Sequence, residues 1–478
     1  MKKILFVGAE VMPFAATGGL GDVLGSLPAA LASSGEADVR VILPLYAAVN
    51  DTWRAKMKEE AIFYVDLSWR QQYCGVYSLV KDGVTYYFID NEYYFKRPSL
   101  YGYFDDGERY AYFCMAAMET IARIGFYPNI LHAHDWQSAL SVVYLNCLYR
   151  NRAGYENIRT AFTIHNIEYQ GKYDFSILGD VFALGENEHS LMESDGCINL
   201  MKAAIECADR VTTVSPRYAE EIRTAEYAHG LEHCLCRNAH KLSGILNGID
   251  YVYYNPEEDD AILAPFTPTR LTGKTKDKQA LQKEAGLPER KDVPMLSLIS
   301  RLASHKGLDI VAECIWDIVA NNDVQLVILG KGEERYEQLF LDLQAAFPEK
   351  VAAMITYDRA LSKRIYAATD IFLMPSKSEP CGLSQMIASR YGAIPVVRET
   401  GGLYDSIKPY WQDEKGSLHG NGFTFSNYSS IELKERTEAA IALWQDTALR
   451  RKFIRKIMTT DFSWSASAQK YLALYEQL

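Results

Sequence analysis

The chain has 478 residues, about three times the roughly 150 residues that one hydrophobic core organises, so we expect at least two domains. Hydrophobic residues make up 48% and charged residues 23%, which excludes a disordered chain, a collagen-like repeat and a disulfide miniprotein. With 50 Lys and Arg against 61 Asp and Glu, the formal net charge is −11, which argues against nucleic-acid and anionic-membrane partners. Any phosphate-bearing ligand must be held by a few local cations.

The sequence favours a cytoplasmic protein. No apolar run approaches the ~18 residues that span a bilayer. The N-terminal stretch MKKILFVGAE reaches Glu10 too early for a signal peptide and predicts a first strand instead. The nine cysteines are an odd number without framework spacing, which is typical of reduced thiols.

Strands and helices alternate over the first half of the chain. Short apolar runs with polar or glycine boundaries predict strands at residues 4–7, 39–43, 130–133, 159–163 and 210–214. Helical patterns cover 107–125 and 137–149, and a hairpin is predicted from 75–80 and 84–89. This βαβ order predicts an α/β domain with a doubly wound parallel sheet over residues 1–245.

The alternation stops and then resumes in the second half. Pro, Gly and charged residues such as Lys274 and Lys278 cluster between Asn247 and Pro294, where we place the interdomain region. Further strands are predicted at 295–299, 324–329, 351–355, 371–374 and 394–397, and helices from Leu308, Glu334, Ser362, Ser384 and Ile431. Residues 246–460 should form a second α/β domain. A last helical pattern either completes that domain or crosses back to the first.

A glycine pair follows one strand in each half. Residues 17–22 read TGGLGD and residues 400–405 read TGGLYD. Glycine permits close backbone approach, and the amides at a helix start favour an anion. Neither segment is a Walker loop, since no Gly-Lys-Ser/Thr follows, and the third glycine of a dinucleotide fingerprint would fall on Leu24. Ordinary turns and paired anion sites both remain open.

Polar residues follow several predicted strands, at the sheet edge where open parallel sheets bind ligands. His165 follows the strand at 159–163 and is either a site residue or a core histidine. Arg301 and Lys306 lie between a strand and a helix, which suits a diphosphate clamp or a solvated basic turn. Glu379 follows the strand at 371–374 and either accepts sugar hydroxyls or caps a helix.

Two further stretches of the sequence contain residues of the types that bind metals or sugars. The His- and Cys-rich stretch from His229 to His240 fits no four-ligand zinc pattern, and His132 with His134 supplies only two imidazoles, so no metal is expected. Aromatic residues crowd the stretch from 93 to 104 beside carboxylates, which suits either sugar faces or a core.

Nine motifs, in order along essentially the whole chain, resemble the bacterial glycogen synthase and plant starch synthase family. They are TGGL (17–20), YGY (101–103), HAHDW (132–136), TIHN (163–166), LNG (246–248), SR with KG (300–301, 306–307), EPCGL (379–383), TGGL (400–403) and DFSW (461–464). The resemblance implies a GT-B architecture, with two Rossmann-like domains facing a central cleft. Residues 1–245 would be the acceptor side and 246–460 the donor side, with the helix at 461–478 packing back on the first domain.

The resemblance also implies an activity and roles for the matched residues. The activity is retaining transfer of glucose from a nucleoside diphosphate glucose, usually ADP-glucose, to the non-reducing 4-hydroxyl of an α-1,4-glucan, without a required metal or other cofactor. The implied catalytic residues are His165, Arg301, Lys306 and Glu379. The implied donor-binding residues are Gly18, Gly19, Asp22, Asn247, Arg301, Lys306, Tyr357, Cys381, Gly382, Leu383, Ser384, Thr400, Gly401 and Gly402. The implied acceptor-binding residues are Tyr101, Tyr103, Asp135 and Trp136.

One position departs from the family pattern. The first glycine motif of the family usually begins with lysine, and here that position is Ala16. Because a cation near the donor phosphates or the acceptor is missing, we expect weak or altered use of ADP-glucose. Two alternatives stay open: another donor such as UDP-glucose, and a low-turnover glucan-binding protein that initiates or scaffolds synthesis.

Overall fold

The computed structural model describes all 478 residues, which divide into two compact units. Unit 1 contains Met1–Asn247 together with Trp464–Leu478, and unit 2 contains Gly248–Ser463. Both units alternate strands and helices, which confirms the α/β class. None of the helices combines the length and the apolar character that a membrane crossing requires.

Unit 1 is built on a nine-stranded sheet. Its strands, with those of a smaller sheet, are β1 (Lys2–Val7), β2 (Ala37–Pro44), β3 (Lys58–Leu67), β4 (Arg70–Lys81), β5 (Val84–Asp90), β6 (Ile130–His134), β7 (Arg159–Ile164), β8 (Lys172–Tyr173), β9 (Glu193–Ser194), β10 (Cys197–Asn199), β11 (Arg210–Thr213) and β12 (Leu242–Gly244). The large sheet has the order β12-β11-β7-β6-β1-β2-β5-β4-β3, and β8-β10-β9 form the small one. The large sheet is parallel except at β4 and β3, which pair antiparallel.

Helices cover the large sheet of unit 1. They are α1 (Gly19–Ser33), α2 (Asp51–Arg54), α3 (Glu92–Phe95), α4 (Asp106–Arg123), α5 (Trp136–Tyr144), α6 (His189–Met192), α7 (Leu200–Cys207), α8 (Pro216–Glu221) and α9 (Glu232–Arg237). A π-helical turn, Leu145–Tyr149, continues α5. All five residues of β6 are buried, as expected for a parallel strand covered on both faces.

Unit 2 is built on a six-stranded parallel sheet. Its strands, with a separate hairpin, are β13 (Met295–Ile299), β14 (Gln325–Leu329), β15 (Val351–Met354), β16 (Ile371–Met374), β17 (Ile394–Arg398), β18 (Trp411–Gln412), β19 (Leu418–His419) and β20 (Phe423–Phe425). The sheet order is β15-β14-β13-β16-β17-β20, and β18 pairs with β19. The helices are α10 (Thr272–Glu284), α11 (Leu308–Asn321), α12 (Glu334–Ala346), α13 (Arg359–Ala368), α14 (Ser384–Arg390), α15 (Gly401–Ser406), α16 (Ser430–Gln445) and α17 (Thr447–Met458).

The final helix, α18 (Trp464–Tyr475), belongs to unit 1. It packs against α1. The hydroxyl of Tyr475 lies 2.7 Å from Nδ1 of His132 on β6, in the buried interior. The end of the chain thus contributes to the core that begins with the first strand.

Several short strands, such as β12 and β20, were not predicted, and two further differences have clear physical causes. The edge strand β3 was not predicted, since its first three residues, Lys58 to Glu60, are charged. The stretch between Asn247 and Pro294 is not a linker, because it lies in unit 2 and contains α10. The ammonium of Lys274 donates to the carbonyls of Ala367 (3.0 Å) and Tyr391 (2.8 Å), so this charge is buried and satisfied.

The strand orders place a ligand-binding edge in each unit. In unit 1 the strand β1 lies between β2, which follows it in the chain, and β6, which begins the second half of the sheet, so the strand order reverses at β1. In unit 2 the same reversal separates β13 from β16. Loops diverge at such a reversal and leave a crevice beyond the carboxyl ends of the strands. The loops after β1, β6, β13 and β16 are therefore the places to look for function.

Candidate active site

Two loops meet at the crevice of unit 2. The amide of Lys377, in the loop after β16, donates to the carbonyl of His305, in the loop after β13, over 2.9 Å. Gly307 has φ +76°, and a Cβ there would lie 2.0 Å from the carbonyl oxygen of Pro375. Only glycine permits this approach. The two loops are thus held against each other by their backbones.

An ion pair joins the same two loops. Lys306 Nζ lies 2.7 Å from Glu379 Oε2, with side-chain exposures of 18% and 9%. Ser376 Oγ donates to the same carboxylate oxygen over 3.0 Å. Arg301 lies on the loop after β13, is exposed, and its guanidinium has no partner within the chain. Two cations and one carboxylate are therefore presented by the loops of this crevice.

The second glycine pair has a packing function. A Cβ on Gly401, which has φ +43°, would lie 2.0 Å from the carbonyl oxygen of Glu379, and one on Gly402 would lie 2.2 Å from that of Cys381. The amide of Gly402 donates to the carbonyls of Glu379 (3.1 Å) and Pro380 (3.2 Å). This amide is therefore engaged within the protein. The pair lets α15 support the Glu379 segment.

In unit 1, His165 follows β7 and is hydrogen-bonded to two residues at the end of the neighbouring strand β6. The His165 amide donates to Asp135 Oδ1 over 2.7 Å, and His165 Nε2 lies 2.9 Å from His134 Nδ1. Burial lowers the pKa of the His165 imidazole to about 3 and raises the pKa of Asp135 to about 7. His165 is therefore a neutral imidazole with a fixed orientation.

The first glycine loop is held by a residue that the sequence did not single out. Glu10, only 4% exposed, accepts hydrogen bonds from the amides of Thr17 (2.5 Å) and Gly18 (3.1 Å), from Thr17 Oγ1 (2.8 Å) and from the Tyr101 hydroxyl (2.7 Å). The Gly18 amide is thus engaged with Glu10. Gly19 begins α1, where its amide has no intrahelical acceptor.

A cavity of about 420 Å³ lies beside Trp136 in unit 1. Its other lining residues are Glu168, Tyr169, Gln170, Gly171, Lys172 and His229. An aromatic surface with nearby carboxylate, amide and ammonium groups can bind both the face and the hydroxyls of a pyranose. Of these residues, only Trp136 was predicted from the sequence.

Some of the other predicted residues lie at helix starts near the crevices, and others are buried. Asp22 is in the first turn of α1, Leu383 precedes α14, which begins at Ser384, and Thr400 precedes α15. Cys381 is buried, Gly382 has φ +70°, and Tyr357 is 78% exposed. Asn247 is buried with Oδ1 unpaired. Tyr103 accepts from the Ser99 amide over 2.9 Å and lies 4.9 Å from the guanidinium of Arg109, which gives it a packing role.

The structure brings together no group of three or more His, Cys, Asp or Glu side chains that could hold a metal ion. Both ring nitrogens of His132 are engaged, with the Tyr475 hydroxyl and with Thr163 Oγ1, each at 2.7 Å. The histidine- and cysteine-rich stretch is accounted for by α9 and its flanking turns.

Comparisons with known proteins cover the whole chain. The profile of the starch synthase catalytic domain matches residues 3–237, and that of glycosyl transferases group 1 matches residues 279–458. The glycogen synthases of Ligilactobacillus salivarius and Streptococcus agalactiae are 44% and 46% identical to this chain over 478 and 479 residues, with full coverage of both proteins. The chain belongs to the glycogen and starch synthase family. It is a glycosyltransferase that makes α-1,4-glucan.

A solved structure supports the same assignment. The catalytic domain of starch synthase IV from Arabidopsis thaliana, bound to ADP and acarbose, superposes with a TM-score of 0.90 at 34% identity, covering 100% of this chain and 99% of that one. The resemblance inferred from the nine motifs is therefore confirmed, as is the GT-B fold.

Sequence reasoning missed Glu10 and Ser376, and it named His134 as a motif residue and possible metal ligand without assigning it a role in the site. The signal was present for each, because all three end a strand or follow one within a few residues. Glu10 comes three residues after β1, and Ser376 two residues after β16. What the sequence did not give is the partner of each side chain, which lies on another loop.

Proposed function

We propose that the chain transfers glucose from ADP-glucose to the 4-hydroxyl at the non-reducing end of an α-1,4-glucan, with retention of the anomeric configuration. The observation that carries this proposal is the Lys306–Glu379 pair at the crevice of unit 2, with the unpaired Arg301 on the same loop as Lys306. Cations and a carboxylate together suit a ligand that has both a diphosphate and sugar hydroxyls.

The two cations would stabilise the leaving group. When the bond from the anomeric carbon to the diphosphate breaks, negative charge grows on the diphosphate, and preorganised cations lower the energy of that transition state. Arg301 and Lys306 would supply this stabilisation, so the proposal requires no metal ion. Retention of activity in excess EDTA tests that requirement. Loss of activity that added Mg²⁺ restores would contradict it.

Glu379 would hold the donor sugar. Its carboxylate is oriented by Lys306 and Ser376, and it retains acceptor capacity for hydroxyl donors. In unit 1, His165 would contact the reacting sugar, and the Trp136 cavity with Asp135 would bind the acceptor glucan. The adenine nucleotide in the Arabidopsis relative supports ADP-glucose as the donor here.

Ala16 favours a second candidate, a glucan-binding protein with little turnover, because it removes a cation that the family pattern contains. One assay separates the candidates. The protein is incubated with glycogen and either ADP-[14C]glucose or UDP-[14C]glucose, and label in the polymer is counted. Faster incorporation from ADP-glucose supports the proposal, and faster incorporation from UDP-glucose reassigns the donor. Glycogen binding without incorporation from either donor would support the scaffold.

A further inference from the structure

His134 is a buried histidine with no function in the mechanism described above. It ends β6 and is fully buried. Its ring packs against those of Phe6, with centroids 5.4 Å apart, and His132, with centroids 4.2 Å apart. Its amide donates to Ser138 Oγ over 2.6 Å. Packing and backbone together leave the ring little freedom to rotate.

The two nitrogens of this ring have very different surroundings. Nδ1 lies 2.9 Å from Nε2 of His165, which is hydrogen-bond distance. Nε2 is buried and has no hydrogen-bond partner. On the half-buried His165, Nδ1 has no partner within the chain and is not among the buried unpaired atoms, so it reaches the solvent side.

Only one proton lies between the two rings, and it has two possible positions. If His165 Nε2 carried it, the proton of neutral His134 would lie on Nε2 and become a buried N–H without an acceptor. If His134 Nδ1 carries it, the buried His134 Nε2 is an unpaired lone pair, and the proton of His165 lies on Nδ1. Orphaned buried N–H groups are the rarer and costlier defect. The second arrangement is therefore favoured.

Both rings are neutral near pH 7. Burial lowers the pKa of His134 well below its usual range and that of His165 to about 3. Each ring therefore carries a single proton near pH 7.

We propose that His134 is a positioning residue that holds His165 in the tautomer with its proton on Nδ1, so that His165 offers an N–H donor to a sugar oxygen. The identity of the sugar rests on the function proposed above, whereas the tautomer does not. His165 Nδ1 then donates a hydrogen bond to the substrate and does not serve as a general base. The tautomer is set by His134 Nε2, which is buried without a hydrogen-bond partner and is therefore the nitrogen that carries no proton.

The tautomer is measured directly by long-range 1H–15N correlation spectra of protein labelled with 15N-histidine. The chain has nine histidines, and the signal of His165 is identified by its loss in His165→Asn. We expect the protonated nitrogen of His165 to be Nδ1 in the ligand-free enzyme. A proton on Nε2 would overturn the proposal. Because no substrate is present, this result is independent of whether the enzyme uses ADP-glucose.

Two variants separate positioning from packing. His134→Phe keeps a flat ring against Phe6 and His132 but has no donor, whereas His134→Asn places an amide nitrogen near the position of Nδ1. In the Phe variant the unprotonated Nε2 of His165 loses the N–H that orients the ring, so we expect its 15N resonance to move downfield and kcat to fall about tenfold, with the donor KM changed less than threefold. In the Asn variant the Nδ1–H tautomer and kcat should be retained within about threefold.

Thermal unfolding of both variants completes the test. If His134 only packed, kcat would follow the loss of stability, and Asn, which fills the space less well, would be the more damaging substitution. That outcome, or an unchanged 15N resonance of His165 Nε2 in the Phe variant, would overturn the positioning role. The expected tautomer in an enzyme that transfers no glucose would support this inference while the proposed function failed.

Discussion

Lys306 and Glu379, which are 73 positions apart in the sequence, lie 2.7 Å apart across two loops of unit 2. The pair forms because β13 and β16 are neighbours in the sheet, so the loops that follow them meet at the same edge. Gly307 permits the loops to touch, and the Gly401 and Gly402 pair supports the Glu379 segment from behind. The distance between Lys306 and Glu379 thus depends on three positions, 307, 401 and 402, at which a side chain would push the backbones apart.

Replacement of the carboxylate tests the proposed role of Glu379. In Glu379→Gln, the Lys306 ammonium loses its anionic partner and the donor sugar loses a charged acceptor, so we expect kcat to fall about 100-fold or more. Steady-state kinetics with ADP-glucose and glycogen measure the effect. Glu284→Gln, which removes a surface ion pair with Arg364, is the matched control and should change kcat by less than twofold. A kcat within threefold of wild type for Glu379→Gln would exclude the role.

The two glycine pairs should respond differently to alanine. A Cβ on Gly402 would lie 2.2 Å from the carbonyl oxygen of Cys381, whereas one on Gly19 would meet nothing within 4 Å. We expect Gly402→Ala to lower the free energy of unfolding by about 2 kcal/mol and to reduce activity by displacing the Glu379 segment. Gly19→Ala, at the start of α1, should alter stability by less than about 0.5 kcal/mol. Urea unfolding measures both, and equal losses would refute the distinction.

Much of this arrangement follows from the sequence, and the exceptions have physical causes. Fully buried parallel strands such as β6 are continuous apolar runs, so their positions and the polar residues after them are predictable. The partners of Lys306 and His165 are set by strand order, which a local pattern does not contain. Lys274 and Lys278 resembled a charged linker because the carbonyls that satisfy Lys274 and the carboxylate that pairs with Lys278 lie more than ninety positions away.

Glu10 should stabilise the first glycine loop. Its carboxylate accepts four hydrogen bonds, two of them from Thr17, and donates none. In Glu10→Gln an amide N–H would face those donors, so we expect the free energy of unfolding to fall by about 1 to 3 kcal/mol and the KM for glucan to rise. Glu36→Gln, at an exposed position, is the control and should have neither effect. An unchanged melting temperature for Glu10→Gln would refute this function of Glu10.

Asp135 should make stability depend on pH. The native carboxyl, with a pKa of about 7, keeps its proton between about pH 4 and 7, where the unfolded chain, with an ordinary pKa near 3.9, has lost it. The contribution of Asp135 to the free energy of unfolding therefore falls as pH rises through this window. Asp135→Asn keeps an oxygen that can accept from the His165 amide but does not titrate. Urea unfolding at pH 5, 6, 7 and 8 should show the wild type losing stability relative to Asp135→Asn as pH rises, and parallel curves would contradict the shift.

Ala16 is the position at which a single substitution should raise catalytic efficiency with ADP-glucose. It is half-buried, and both its Cβ and a carboxylate oxygen of Glu10 approach the empty side of Gly21, at 2.3 and 3.4 Å from the point where a Cβ would stand. A lysine at 16 would therefore extend from the start of the glycine loop, at the edge of unit 1 where β1 ends. We expect Ala16→Lys to raise kcat/KM for ADP-glucose about tenfold and to change the ratio of ADP-glucose to UDP-glucose use. Ala16→Met, of similar length without the charge, should do neither. If both variants behave like the wild type, the missing cation does not limit this enzyme.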